Sequence, residues 1–194
     1  GLLSFNGNGS IFATDLGEGY NTSINIYQLP ENKITNDWML LGSPITYDAG
    51  CIKHVLNYNG DVIAVALNPS SDSVQCIRIY KFEDSSWVQL GNQINKSASE
   101  DFDFTTLAIS DDGMTIATGS PTYISDIPYQ HQAGAVKVFR YDSASNTWNK
   151  IGNTIVGEEA PNADYLTLNF GRGISLSDYI RTMKTTYPPY SLIK

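Results

Sequence analysis

One eight-residue phrase occurs three times in the chain and limits what the chain can fold into. The pattern W-x-x-[LI]-G-x-x-I is found at Trp38–Ile45, Trp87–Ile94 and Trp148–Ile155. Four fixed positions that recur without insertion or deletion indicate an internal repeat, and a period of about 50 residues corresponds to one supersecondary unit per repeat. The chain is therefore predicted to be a repeat protein.

Each repeat also contains signals for strands and turns. Runs that alternate in polarity precede the phrase, at Ile24–Tyr27, Ile77–Tyr80 and Val136–Phe139. Alternation with a period of two predicts half-buried strands. Asn59-Gly60 and Asp112-Gly113 are strong hairpin signals, because these residue types tolerate positive φ. In the third repeat the predicted strands cover about Thr105–Ser110, Thr115–Ser120, Ala135–Tyr141 and Thr147–Gly152.

These signals predict an all-β fold made of β-propeller blades, because a four-stranded antiparallel unit of this length is the repeat of that architecture. We expect about three and a half four-stranded repeats and an irregular or short helical C-terminal tail. The fourth unit starts at Phe170–Asp178, which resembles Leu107–Asp111, and then departs from the pattern. Ser177 is the candidate cap of the helical alternative. In this single array of residues 1–194, the predicted parts are blade 1 at 1–47, blade 2 at 48–97, blade 3 at 104–157, and a partial blade 4 with the tail at 169–194.

The phrases together resemble the FG-GAP-like and WD-repeat-like propeller repeats. The successive parts of an FG-GAP-like repeat are matched by Phe170–Ser177, Ile116–Pro121, Gly134–Phe139 and Trp148–Glu158. Such repeats are similar to those of microbial, algal and large DNA virus proteins. The resemblance implies a propeller fold, a general binding role and an extracellular or virion-associated location, and it implies no particular activity.

The charge balance restricts the class of partner. The chain has 12 Lys and Arg against 20 Asp and Glu, which gives a net charge of −8. A negative field argues against nucleic acid, and no apolar run approaches the roughly 20 residues of a membrane helix. We expect a protein partner, or self-association through uncovered blade edges, because an incomplete ring leaves strand edges open. A glycan is the alternative partner.

The cysteines and the first residue give weaker information. Cys51 and Cys76 are the only cysteines, and we interpret them as free buried thiols, with a disulfide as the alternative. The chain starts at Gly1 without a Met or a signal-like segment. We therefore expect processing or a missing upstream part.

Few residues carry catalytic or metal-binding chemistry. His54 and His131 are the only histidines, they fall in different repeats, and neither stands at a metal-ligand spacing. No nucleophile elbow, phosphate-binding glycine loop or paired His–carboxylate motif occurs. Asp101–Asp103 and Asp111–Gly113 are fragments of a calcium loop that we interpret as turns. We predict no catalytic residue, no cofactor and no enzyme, with a calcium site as the alternative.

The long loop Thr122–Ala133 of the third repeat is the best candidate for partner binding. It is expected at the end of the propeller that also carries many of the acidic residues, and aromatic loop residues anchor interfaces. Packing of the loop on its own blade is the alternative. The candidate partner-binding residues are Tyr123, Ile124, Tyr129, His131, Glu158 and Glu159.

From these features we predict a non-catalytic propeller segment that acts as a scaffold or protein-interaction module, as part of a larger protein or assembly. One alternative is an extracellular or virion-surface adhesin that binds glycan or protein through the loop end described above. The second alternative is a hydrolase whose carboxylates come from different blades.

Overall fold

The computed structural model describes residues 1–18, 21–30, 37–69, 74–97, 102–124, 133–157 and 170–176. Within these ranges the regular structure consists of β-strands, which confirms the predicted all-β class. The helical alternative for the tail, with Ser177 as its cap, lies outside the described residues.

The strands form three blades in chain order. Blade 1 contains β1, β2, β3, β4 and the first part of β5; blade 2 contains the rest of β5 with β6, β7, β8 and β9; blade 3 contains β10, β11, β12 and β13. Their bounds are β1 Leu3–Phe5, β2 Ile11–Glu18, β3 Asn21–Gln28, β4 Met39–Leu40, β5 Ile45–Leu56, β6 Val62–Pro69, β7 Cys76–Glu83, β8 Ser86–Gln89, β9 Ile94–Asn95, β10 Thr106–Ile109, β11 Thr115–Ser120, β12 Ala135–Asp142 and β13 Thr147–Val156.

A single long strand joins blades 1 and 2. The first part of β5 pairs with β3 through Ile45–Asp48, and its second part pairs with β6 through Ala49–Leu56. The outer strand of blade 1 therefore continues directly into the inner strand of blade 2. The residue limits predicted for the individual blades stay a prediction.

The same turn opens each blade between its first two strands. The backbone N–H of Ile11, Val62 and Thr115 donates to a side-chain oxygen five residues earlier, at 2.9 Å in each case. A short polar side chain can replace a backbone acceptor in this way and closes the turn. Each turn also contains a glycine with positive φ, as the Asn-Gly and Asp-Gly pairs predicted. The three acceptor residues are Asn6, Asn57 and Ser110.

The core lies between the blades, and strand β6 shows why. All residues of Val62–Leu67 are buried. Val62 and its alternate neighbours pack against blade 3, whereas Ile63 and its alternate neighbours pack against blade 1. A strand that is covered on both faces reads as a continuous apolar run. Burial of each large apolar side chain stabilises the fold by about 1.5–3 kcal/mol, so neighbouring blades stabilise each other.

The repeated tryptophan connects blade 2 to blade 1 and blade 3 to blade 2. Trp87 Nε1 donates to the backbone oxygen of Leu41 at 2.8 Å, and Trp148 Nε1 donates to that of Leu90 at 2.8 Å. Each acceptor directly precedes the glycine of the earlier phrase. A Cβ on Gly42 would lie 3.2 Å from Cδ1 of Trp87, and one on Gly91 would lie 3.0 Å from Cδ1 of Trp148. The phrase therefore recurs along the chain because it forms the contact between neighbouring blades.

The two ends of the array depart from this pattern. Trp38 is 39% exposed whereas Trp148 is 4% exposed, because no described blade precedes blade 1. At the other end the final Ile155 of the phrase is exposed, whereas Ile45 and Ile94 are buried. The three phrases thus have equivalent roles only where a neighbouring blade is present.

Both cysteines are free, as interpreted from the sequence. Cys51 on β5 and Cys76 on β7 are paired with the same residue of β6, Leu67. Two strand spacings of about 4.8 Å separate them, which is more than a disulfide can bridge.

The glycine of the repeated phrase provides a test of the contact between blades. Gly91 and Gly152 have φ of +73° and +66°, so alanine at either position costs about 1–2 kcal/mol of backbone strain. Of these two glycines only Gly91 faces a tryptophan, since nothing lies within 4 Å of a Cβ on Gly152. In urea unfolding we expect Gly91→Ala to lower the free energy of unfolding by about 1–3 kcal/mol more than Gly152→Ala does. Equal losses would contradict this assignment.

Candidate functional site

The innermost strands of blades 1 and 2 bring a serine and a histidine together. Ser4 lies on β1, and His54 lies on the second part of β5, which packs beside β1. Ser4 Oγ and His54 Nδ1 are 2.8 Å apart. The two residues are separated by 50 positions in the chain, so this contact exists only because the blades are adjacent.

A bulge in β5 determines which way His54 faces. The register with β6 shifts between Cys51 and Lys53, so that His54 pairs with Val65. Val65 faces blade 1, and residues that are paired directly across two strands share a face. The side chain of His54 is therefore directed toward blade 1, while that of Val55 packs toward blade 3.

Burial keeps His54 uncharged near neutral pH. Its side chain is buried, and this lowers the pKa of the imidazole below the usual value of 6.5. The Asp15 carboxylate and the backbone of Leu2 act in the opposite direction, and Lys53 acts in the same direction as burial. Nε2 has no hydrogen-bond partner among the described residues. In the tautomer that carries its proton on Nε2, the neutral imidazole can accept the Ser4 proton at Nδ1.

Asp15 adds a negative charge beside this pair. The register of β1 and β2 pairs Leu3 with Thr14, which places Asp15 next to Leu2, whose N–H donates to the Asp15 carboxylate. Burial raises the pKa of the nearby Cys51 thiol to about 12, and the Asp15 carboxylate contributes to the increase. Cys51 therefore stays a protonated thiol, and Ser4 is the better candidate nucleophile.

The residues that sequence reasoning selected for partner binding lie elsewhere. Tyr123 is partly buried, and its ring lies 6.0 Å from that of Phe102 in the core between blades 2 and 3. Ile124 is exposed. These positions fit the alternative in which the start of the loop packs on its own blade, and the binding role stays a prediction. Tyr129, His131, Glu158 and Glu159 lie outside the described residues.

The part of the chain that the structure describes contains no group of three His, Cys, Asp or Glu side chains that could hold a metal ion. The described residues also include no helix that is long and apolar enough to span a bilayer. The cofactor, partner and membrane expectations stay predictions.

Sequence reasoning missed the Ser4–His54 pair. In the sequence His54 does not stand at a metal-ligand spacing, and Ser4 has no motif around it. The available signal was positional: Ser4 precedes the turn residue Asn6 by two positions, and His54 precedes the equivalent Asn57 by three. Both residues therefore had to lie on the inner strands of neighbouring blades, where side chains of successive repeats can meet.

Comparison with known proteins identifies the fold. No protein-family model matches the chain and no curated protein matches it, so the FG-GAP-like resemblance stays a prediction. Among solved structures, a putative 6-phosphogluconolactonase from Bacteroides uniformis is similar over 80% of this chain and 40% of its own, with 11% identity and a TM-score of 0.50. A second such protein from Bacteroides fragilis has 14% identity over 81% and 39%, with a TM-score of 0.49. Kluyvelomyces marxianus Hsv2 has 15% identity over 75% and 42%, with a TM-score of 0.48.

The likeness to the Bacteroides uniformis protein supports a propeller-like fold, and the name of that protein corrects the functional prediction. The chain spans about two fifths of the length of each of the three solved structures. The Bacteroides uniformis protein is named as a putative 6-phosphogluconolactonase. The prediction of a non-catalytic scaffold or protein-interaction module, or alternatively a surface adhesin, is contradicted by this finding and is not retained. The expectation that the chain is not an enzyme stays a prediction.

The lowered pKa of His54 predicts how stability depends on pH. The unfolded chain binds a proton at this histidine near pH 6.5, whereas the folded chain binds it only at lower pH. The contribution of His54 to the free energy of unfolding should therefore be fully present above pH 6.5 and be lost as the pH falls below that value. In His54→Gln this part of the pH dependence should disappear. Urea unfolding between pH 5 and pH 8 gives the free energy of unfolding of both proteins at each pH. If the two free energies change with pH in parallel, the assignment is contradicted.

Proposed function

We propose that the chain contributes a hydrolytic site to a propeller enzyme, with Ser4 as nucleophile and His54 as general base. The observation that carries the proposal is the 2.8 Å contact between Ser4 Oγ and His54 Nδ1, with the imidazole kept neutral by burial. Nucleophile and base within hydrogen-bond distance are the minimal requirement for acyl transfer. The lactonase name of one fold neighbour agrees with this reaction class by analogy only.

The proposed reaction proceeds by two acyl transfers. Ser4 Oγ attacks the carbonyl carbon of an ester or lactone, and its proton moves to His54 Nδ1. The carbon–oxygen bond of the leaving alcohol breaks, and that oxygen takes the proton from His54. Water then adds to the acyl-serine with His54 again accepting a proton, and the carboxylic acid leaves as Ser4 regains its proton.

The charges around the site support an uncharged or cationic substrate. Asp15 lies beside the pair and the whole chain carries a net charge of −8. A field of this sign lowers the local concentration of anions. We therefore expect a small neutral ester or lactone to be accepted in preference to a phosphorylated one.

A serine-directed probe tests this proposal without knowledge of the natural substrate. We expect a fluorophosphonate to label the intact chain at Ser4, because the neutral base next to the hydroxyl activates it. Mass spectrometry of the peptides locates the adduct. Labelling should fall by at least about tenfold in His54→Gln, since general-base assistance contributes about 10²–10⁴-fold.

The matched control is Ser23→Ala, which removes a half-buried serine hydroxyl on β3 that donates to Leu16 O. Its labelling and its hydrolysis of p-nitrophenyl butyrate should equal those of the unmodified chain. A folded protein that is not labelled at Ser4, or that is labelled equally in Ser4→Ala, would contradict the proposed function.

A further inference from the structure

Strand β7 places a cation between blades 1 and 2, away from the Ser4–His54 pair. Arg78 pairs with Val65 of β6, and Val65 pairs with His54. The three residues form one row across blade 2, and residues that are paired directly across strands share a face. Val65 faces blade 1, so Arg78 faces blade 1 as well. Two strand spacings of about 4.8 Å separate Arg78 from His54 along this row.

The guanidinium of Arg78 is only partly satisfied. Arg78 is half-buried, its Nε donates to Oε1 of Gln93 at 3.0 Å, and it contacts the Cys76 thiol, which is a weak acceptor. Within the described ranges no carboxylate forms an ion pair with Arg78, and no oxygen accepts a hydrogen bond from its two terminal nitrogens. A cation that is partly removed from water without an anionic partner is unfavourable.

A buried hydroxyl without a partner lies between the same two blades. Tyr47 on the first part of β5 is 6% exposed, and its Oη has no hydrogen-bond partner among the described residues. Its ring lies 6.0 Å from that of Tyr80, which follows Arg78 by two residues on the same face of β7. Burial raises the pKa of the Tyr47 hydroxyl, and the neighbouring Tyr80 and Cys51 add to the increase. The charge of Arg78 acts in the opposite direction. Tyr47 is therefore a protonated donor within electrostatic reach of the guanidinium.

Blade 3 shows how the equivalent cation is covered. Lys137 pairs with Thr118 as Arg78 pairs with Val65, and both β-strand partners stand three residues after the residue that closes the turn of their blade. Lys137 Nζ lies 4.2 Å from the ring centroid of Phe102, which is a cation–π contact. No such contact of Arg78 is present in the part of the chain that the structure describes. Arg78 thus lacks the aromatic cover of its counterpart.

We propose that Arg78 and Tyr47 bind a small carboxylate between blades 1 and 2, at a site separate from the proposed nucleophile and base. The terminal nitrogens of Arg78 present N–H donors in the fork that matches the two oxygens of a carboxylate. The Tyr47 hydroxyl donates to one of these oxygens.

The charges favour a monoanion at this site. Arg78 is the one cation among the described residues whose charge acts on the Tyr47 hydroxyl. The site therefore balances one negative charge, and the net charge of −8 of the chain disfavours a dianion. Acetate should for this reason bind more tightly than inorganic phosphate. The site goes beyond the proposed hydrolysis and does not depend on it.

Acetate is the probe for this site, and NMR of the arginine Nε–H groups is the measurement. Arg78→Lys identifies the signal of Arg78 by its loss. We expect this signal to shift and saturate as acetate is added at neutral pH and constant ionic strength, while that of the exposed Arg140 stays in place. An unchanged Arg78 signal would contradict the proposal. Equal shifts at both arginines, or tighter binding of phosphate than of acetate, would contradict it as well.

Tyr47→Phe separates ligand binding from a structural role of the hydroxyl. The variant keeps the ring and removes an unpaired buried donor, so the free energy of unfolding without acetate should not fall. Its affinity for acetate should be about tenfold lower, because the lost hydrogen bond is one to a charged group. A variant that is less stable, or that binds acetate as tightly as the unmodified chain, would contradict the proposal.

The matched control is Tyr27→Phe, which removes a tyrosine hydroxyl that accepts a hydrogen bond from Asn25 Nδ2. Its affinity for acetate should equal that of the unmodified chain, and an equal loss in both tyrosine variants would contradict the role of Tyr47. Ser4→Ala should also bind acetate unchanged. Failure of the hydrolytic site and failure of the carboxylate site can therefore be told apart.

Discussion

The hydrogen bond from a tryptophan indole to the backbone of the preceding blade is the contact on which the array depends. It ties the outer edge of a blade to its neighbour in both places where two described blades meet, with 2.8 Å between the indole Nε1 and the carbonyl oxygen. The buried faces of β6 then fill the space between blades. A blade alone would leave one of these faces in water, so stability belongs to pairs of blades more than to any single one.

The same adjacency creates the candidate site. The inner strand of each blade lies beside the inner strand of the next, so residues about one repeat apart become neighbours. Ser4 and His54 meet in this way, and Asp15 joins them from the second strand of blade 1. The site is therefore a consequence of how blades are stacked, and it would be lost if blades 1 and 2 separated.

Much of the fold could be predicted from the sequence because period-two alternation and turn glycines act locally. Strand β11 lies at its predicted limits, Thr115–Ser120. Strand β13 continues to Val156, beyond its predicted end. Its register with β12 shifts between Ile151 and Ile155, and the pairing resumes after this irregularity. The site could not be predicted in the same way. The contact between Ser4 and His54 spans 50 residues and depends on the direction of one side chain after a bulge in β5, which no local pattern encodes.

The central claim is that the indole N–H of the repeated phrase joins neighbouring blades, and replacement of each tryptophan by phenylalanine tests it most directly. Urea unfolding of Trp38→Phe, Trp87→Phe and Trp148→Phe gives three free energies for one chemical change. We predict losses of about 1–3 kcal/mol for Trp87 and Trp148, whose removal leaves a partly buried carbonyl without its donor, and less than about 0.5 kcal/mol for the exposed Trp38. Equal losses at all three positions would contradict the account.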